Sequence, residues 1–102
     1  MIHGILVHEP NDDVGVAVSD LTAGTEVGAI TLEGEPVCTV QIVENILLGH
    51  KVALHDLPAE KHVQEYGRTI GRLTQAAPAG SHVHVHNLKG LRWSGRPLLA
   101  DQ

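Results

Sequence analysis

The sequence predicts a small, mostly β domain with short helical turns, and three observations carry that reading. The hydrophobic rhythm is short-range: Val14, Val16 and Val18 alternate with smaller residues, and His82-Val83-His84-Val85-His86 alternates strictly. Gly, Pro, Asp and Asn separate these runs, as turn residues separate strands. The apolar content is aliphatic, with twelve Val, twelve Leu and six Ile against one Trp, one Tyr and no Phe. A chain of 102 residues is one domain with room for one small aliphatic core.

Taken in order, His8 to Asp13 reads as a turn. Val14 to Val18 reads as a strand. Gly34 beside Pro36 marks a turn inside a hairpin from about Ile30 to Val43, whose second arm is rich in β-branched residues. Two stretches, Glu44–Leu48 and Ala59–Tyr66, are short enough to be helical turns. Val14–Val27 lies over His50–Val63 with Val, Ala, Asp, Leu, Ala and Val at matching places, a repeated strand, Asp turn, tight bend and strand. A shorter echo at Ala79–Val83 is within the reach of chance, so only the first pair carries weight. The tail after Trp93 (residues 94–102) has no periodicity and reads as an extended arm, and Trp93 needs apolar cover.

Charge narrows the function. Seven Lys and Arg against twelve Asp and Glu leave a formal charge of −5, which argues against a nucleic-acid surface. No apolar run reaches the roughly 18 residues of a membrane span, and the N-terminus lacks a signal-peptide pattern. The single Cys38 cannot close an intrachain disulfide. The expectation is a soluble, cytoplasmic protein, with Cys38 a buried small hydrophobe inside a β-run.

Three groups of residues are able to carry chemistry. On a strand His82, His84 and His86 share one face, with Val83 and Val85 on the other. Neighbouring members lie about 6.5–7 Å apart, so a His-x-His pair can converge on one metal, while the outer two, about 13 Å apart, cannot easily share it. The bland counterpart is a solvent-facing row above two core valines. The turn His8 to Asp13 gathers one His and three carboxylates, suited to a hard cation or a polyhydroxy ligand, although turns favour Asn and Asp for backbone reasons alone. In Gly49-His50-Lys51 the lysine is able to bind a carboxylate or, desolvated, to act as a general base. Tyr66, the only Tyr, stands beside Gly67 and is suited equally to a core or hinge role.

These motifs resemble a known family. His8 with Asp12-Asp13-Val14-Gly15-Val16-Ala17-Val18, then Gly49 to Leu54, Tyr66-Gly67 with Ile70-Gly71-Arg72, and Gly80 to Asn87 look like the small domain of altronate and galactarate dehydratases. The same domain occurs as the separate small subunit of sulfolactate sulfo-lyase. Asp20-Leu21 with Ala23-Gly24 and Val27 is similar to the turn signature of the broader SAF domain, whose fold is the β-clip. The resemblance runs from about His8 to Trp93, so residues 1–93 read as the domain. The family pattern usually has His-Pro where Glu9 intervenes here. It often has Lys before Tyr-Gly and an acid after, where this chain has Glu65 and Arg68. That exchange leaves open a preserved ion pair or a different ligand.

The resemblance implies elimination of water, or of sulfite, from a hydroxylated carboxylic acid such as a sugar acid or sulfolactate. It implies a larger catalytic subunit as partner, a divalent metal (Fe2+ or Mn2+), and no activity for this chain alone. The isolated chain is free to form a homo-oligomer. On this reading His84, His86 and Lys51 are catalytic, and His82, His84 and His86 are the metal ligands. His8, Asp12, Asp13, His50, Tyr66 and Asn87 meet the substrate. The competing class is a non-catalytic SAF-type binding or interaction module, against which the histidine row speaks.

Overall fold

A computed structural model describes residues 3–83 and the backbone of residues 88 and 89. Among the described residues nine strands follow in order: β1 (His3–Val7), β2 (Val14–Ala17), β3 (Glu26–Thr31), β4 (Pro36–Gln41), β5 (Lys51–Ala53), β6 (His62–Glu65), β7 (Arg68–Leu73), β8 (His82–Val83) and β9 (Leu88–Lys89). Among the described residues there is no helix, and so none long and apolar enough to cross a membrane. The fold is mostly β, as the rhythm of the sequence requires.

Six strands form one sheet in the order β4-β3-β1-β2-β5-β8, and β6-β7-β9 form a second. β1 pairs antiparallel with β2 and parallel with β3, so the chain crosses over β1 between them. The expected hairpin from Ile30 to Val43 is present as β3 and β4, turning through Gly34 at φ 88°. Thr31 ties that turn with its backbone to Glu35 O and its Oγ1 to Glu35 N.

Two apolar clusters share the sheet. Ile5, Val7, Ala17, Leu21, Val27, Ile42, Ile46, Val52 and Leu54 belong to the larger one. Val14, Ala53, Leu57, Val63, Leu73, Ala77 and Val83 make the smaller one. Val52 and Ala53 are consecutive residues of β5, and strand alternation sends their side chains to opposite faces. A sheet buried on both faces is how the described residues hold two clusters instead of the single core that the composition suggests.

The internal repeat is fourfold. Leu21 and Ile46 form an antiparallel bridge, and Leu57 and Ala77 form another. Each is followed three residues later by a left-handed residue: Gly24 (φ 92°), Gly49 (φ 89°), Glu60 (φ 72°) and Gly80 (φ 82°). In the first pair Asp20 accepts from Leu48 N and Asn45 accepts from Ala23 N, both at 2.9 Å. In the second pair Asp56 accepts from Ala79 N at 2.9 Å, and Ala76 stands where the reciprocal acceptor would be. The echo at Ala79–Val83 is therefore the fourth turn.

The two stretches open to helical turns are resolved otherwise. Glu44–Leu48 contains the bridge residue Ile46, and Ala59–Tyr66 contains β6. Cross-chain partners outcompete a single helical turn, which is a poor nucleus by itself. The extended reading of residues 94–102 and the cover for Trp93 lie outside the described residues.

Candidate functional site

The loop between β1 and β2 lies against the β6–β7 hairpin, and two buried aspartates join them. Asp12 Oδ2 accepts from Glu9 N (3.1 Å) and Tyr66 N (2.9 Å), and its Oδ1 accepts from Gly67 N (3.1 Å). Tyr66 and Gly67 both have positive φ, 60° and 74°, the two-residue turn that closes a tight hairpin. Gly adopts that conformation freely, whereas a bulky Tyr does so at a cost. The two N–H bonds to Asp12 offset it. Asp13 Oδ2 accepts from Gln64 N at 2.8 Å, while Oδ1 meets His55 Nε2 at 2.8 Å. Lys61 Nζ lies 3.6 Å from Asp13 Oδ2. The carboxylates expected to meet substrate are thus already engaged in joining loop to hairpin.

Above this brace the structure gathers His8, Lys51 and Tyr66. The His8 and Tyr66 rings are 4.3 Å apart and tilted by 53°. Lys51 Nζ lies 5.9 Å from the Tyr66 ring centre, within the range of a cation–π contact. Tyr66 is exposed at the hairpin tip and has no place in the core. Lys51 is one-third exposed and pairs with Glu65 Oε1 at 2.7 Å, while the Glu65 side chain is completely buried.

A second group lies at the start of β5. His50 Nδ1 and His82 Nε2 are 2.8 Å apart, and Glu44 Oε2 accepts from His82 N at 2.9 Å. Lys51 and Val83 are cross-strand partners, as are Val52 and His82. Val83 is buried and His82 only partly so, so the in-out alternation of the histidine strand starts as expected. His84, His86 and Asn87 lie outside the described residues.

Sequence reasoning weighed Glu65 only as half of an exchange with Arg68, and it missed Glu44 and His55. A signal for Glu65 was present in His62-Val63-Gln64-Glu65, whose period-2 pattern turns Glu65 to the same side as Val63. A cavity of about 340 Å3 is lined by Pro10, Asn11, Asp12, Val37, Cys38, Leu54 and His55. Cys38 is half-buried and packs on the larger cluster, and burial pushes its thiol above the ordinary value.

The sequence pattern of the altronate/galactarate dehydratase SAF domain matches residues 3–91. The chain belongs to the altronate/galactarate dehydratase SAF-domain family. It is 36% identical over 89 residues to the (2R)-sulfolactate sulfo-lyase subunit alpha of Chromohalobacter salexigens, covering 86% of this chain and 95% of that subunit. It is 38% identical over 78 residues to altronate dehydratase of Escherichia coli, covering 76% of this chain and 14% of that enzyme. With galactarate dehydratase (L-threo-forming) of the same organism it shares 37% over 79 residues, 78% of this chain and 14% of that enzyme.

In this SAF domain Gly49-His50-Lys51 serves two groups at once: His50 meets His82, and Lys51 meets Glu65. The exchange of charges around Tyr66-Gly67 is resolved as well. Arg68 is the register partner of Glu65, yet the ion pair of Glu65 goes to Lys51. Among the described residues no three His, Cys, Asp or Glu side chains converge on a point able to hold a metal ion. His50 and His82 by themselves fall short of the donor set that a divalent ion requires.

Proposed function

We propose that this chain is the small subunit of a lyase that eliminates water, or sulfite, from a hydroxylated carboxylic acid. Its histidine row and the His8–Lys51–Tyr66 corner complete an active site on a larger subunit, and the chain is inactive alone. The observation that carries this reading is Lys51, part-exposed and fixed between Glu65 and the Tyr66 ring, next to His50 on the chain. The match over 95% of a sulfo-lyase subunit supports it.

A base on the larger subunit takes the proton α to the carboxylate, and negative charge builds on that carboxylate. Lys51 supplies a fixed ammonium to meet it, and His8 and Tyr66 offer a polar edge to substrate hydroxyls. An imidazole of the His84–His86 pair acts as the general acid that protonates the leaving group, and Asn87 orients a hydroxyl. A divalent Fe2+ or Mn2+ ion, drawn to His82, His84 or His86, would add charge at the substrate carboxylate when bound. Water has to be kept from such a site on several sides, and the larger subunit provides the missing walls.

The test is to purify the chain with its larger subunit and screen sugar acids and sulfolactate for loss of water or sulfite. His84→Ala with His86→Ala lowers turnover by about 10²-fold or more, the scale of losing an acid–base or electrostatic group. Assembly survives, because Val83, which packs into the smaller cluster, is buried and unchanged in this variant. Full activity in the double variant overturns the assignment.

A further inference from the structure

Glu65 occupies a position where the fold expects an apolar residue. It follows Val63 by two along β6, and both side chains are completely buried. One carboxylate oxygen takes Lys51 Nζ at 2.7 Å. The other, Oε2, is buried and has no hydrogen-bond partner among the described residues. A buried carboxylate with half its acceptor capacity unmet is costly, and an apolar side chain of similar volume would fill the same space without that cost. Departures of this kind mark function more often than stability.

What Glu65 does is visible at its other end. Lys51 reaches it with one N–H, leaving two of the three ammonium donors for other acceptors. A lysine side chain is otherwise a flexible stem whose ordering carries an entropic cost at each binding event. Glu65 meets that cost in advance. Its chain neighbour Tyr66, held in the left-handed region by Asp12, places an aromatic ring beside the same ammonium. Consecutive residues of one hairpin therefore fix Lys51 from behind and from the side.

We infer that Glu65 is a positioning residue: it holds the Lys51 ammonium at the hairpin corner, where its remaining donors receive a carboxylate of the hydroxy-acid ligand. The inference rests on the proposed lyase function for its ligand, but not for the coupling of Glu65 to Lys51. Glu65 itself touches no substrate.

Two measurements test it, with Glu65→Gln, Lys51→Ala and the double variant. In the free chain, acetylation of Lys51 by an amine-reactive ester is followed by mass spectrometry, with Lys61 as internal reference. Glu65→Gln accelerates labelling of Lys51 several-fold and leaves Lys61 unchanged; an unchanged Lys51 rate overturns the positioning role. In the complex with the larger subunit, Glu65→Gln lowers kcat/KM for the acid by about tenfold, the scale of one charge-assisted hydrogen bond. In the Lys51→Ala background the same substitution has no further effect on kcat/KM. An undiminished effect there shows that Glu65 does not act through Lys51. If Glu65→Gln fails to fold, Glu65→Met, which leaves no orphaned polar atom, takes its place. If no complex shows lyase activity, the proposed function fails, while the labelling result still decides the coupling.

Discussion

Single residues in this domain are constrained by backbone geometry as much as by chemistry. A Cβ on Gly80 would lie 1.9 Å from Gln41 O, in addition to the strain of its positive φ. Gly49 has a similar φ with nothing within 4 Å of that position. Gly49→Ala therefore costs about 1 kcal/mol, the conformational term alone. Gly80→Ala costs well beyond that or prevents folding, because the obstacle is backbone and cannot rotate away. Urea unfolding of the two variants measures the difference, and equal midpoints would remove the steric argument. Cys38 makes a prediction about pH. Burial raises its thiol above the ordinary value of 9.0, so the folded state favours the neutral form. The stability this contributes is fully present below the unfolded value and is lost as pH rises through the folded one. Iodoacetamide alkylation of the native chain should thus reach half-maximal rate at a higher pH than alkylation of the urea-unfolded chain. Faster native reaction at neutral pH would mark an activated thiol instead.

Among elements, the shortest has two separable tasks. In β8, Val83 is 1% exposed and seals the smaller cluster, whereas His82 makes polar contacts with His50 and Glu44 at the rim. Val83→Ala costs about 2 kcal/mol of stability from lost burial and the cavity left behind. His82→Ala costs less than about 1 kcal/mol, since its partners can turn to water. Chemical denaturation distinguishes the two, and a larger loss for His82 would mean that the histidine pair holds the strand in place. The hairpin β6–β7 likewise combines packing and display: Val63 and Leu73 anchor it in the smaller cluster while its turn presents Tyr66.

At the scale of the whole molecule, four related turns organise two clusters around one shared sheet. The Leu21–Ile46 bridge packs into the larger cluster and the Leu57–Ala77 bridge into the smaller. The candidate groups lie around β5, where Lys51 meets the hairpin and His50 meets β8. The free chain should accordingly bind divalent metal weakly, because one His-x-His pair leaves a coordination set incomplete without ligands from a partner. Calorimetry with Fe2+ or Mn2+ checks this. Tight binding that persists in the His84→Ala, His86→Ala variant would move the metal site elsewhere.

Local signals sufficed for much of this protein. Alternating valines, Asp and Gly turns and the Gly34–Pro36 punctuation mark strands and their ends from neighbours within a few positions, which is why the strand rhythm and the β3–β4 hairpin were legible. The motifs around Gly49-His50-Lys51 and Tyr66-Gly67 likewise carried the family. One turn copy stayed hidden and another was set aside as chance, because Asn45 replaces Asp in the first and Ala76 in the second, while the backbone conformation they share leaves little trace in residue identity. Only the tertiary structure decided the partners. Lys51 and Glu65 are 14 residues apart and His50 and His82 are 32 apart, and no periodicity links them. Strand register and the placement of the β6–β7 hairpin determine which side chains meet, and these are set by burial summed over the whole chain.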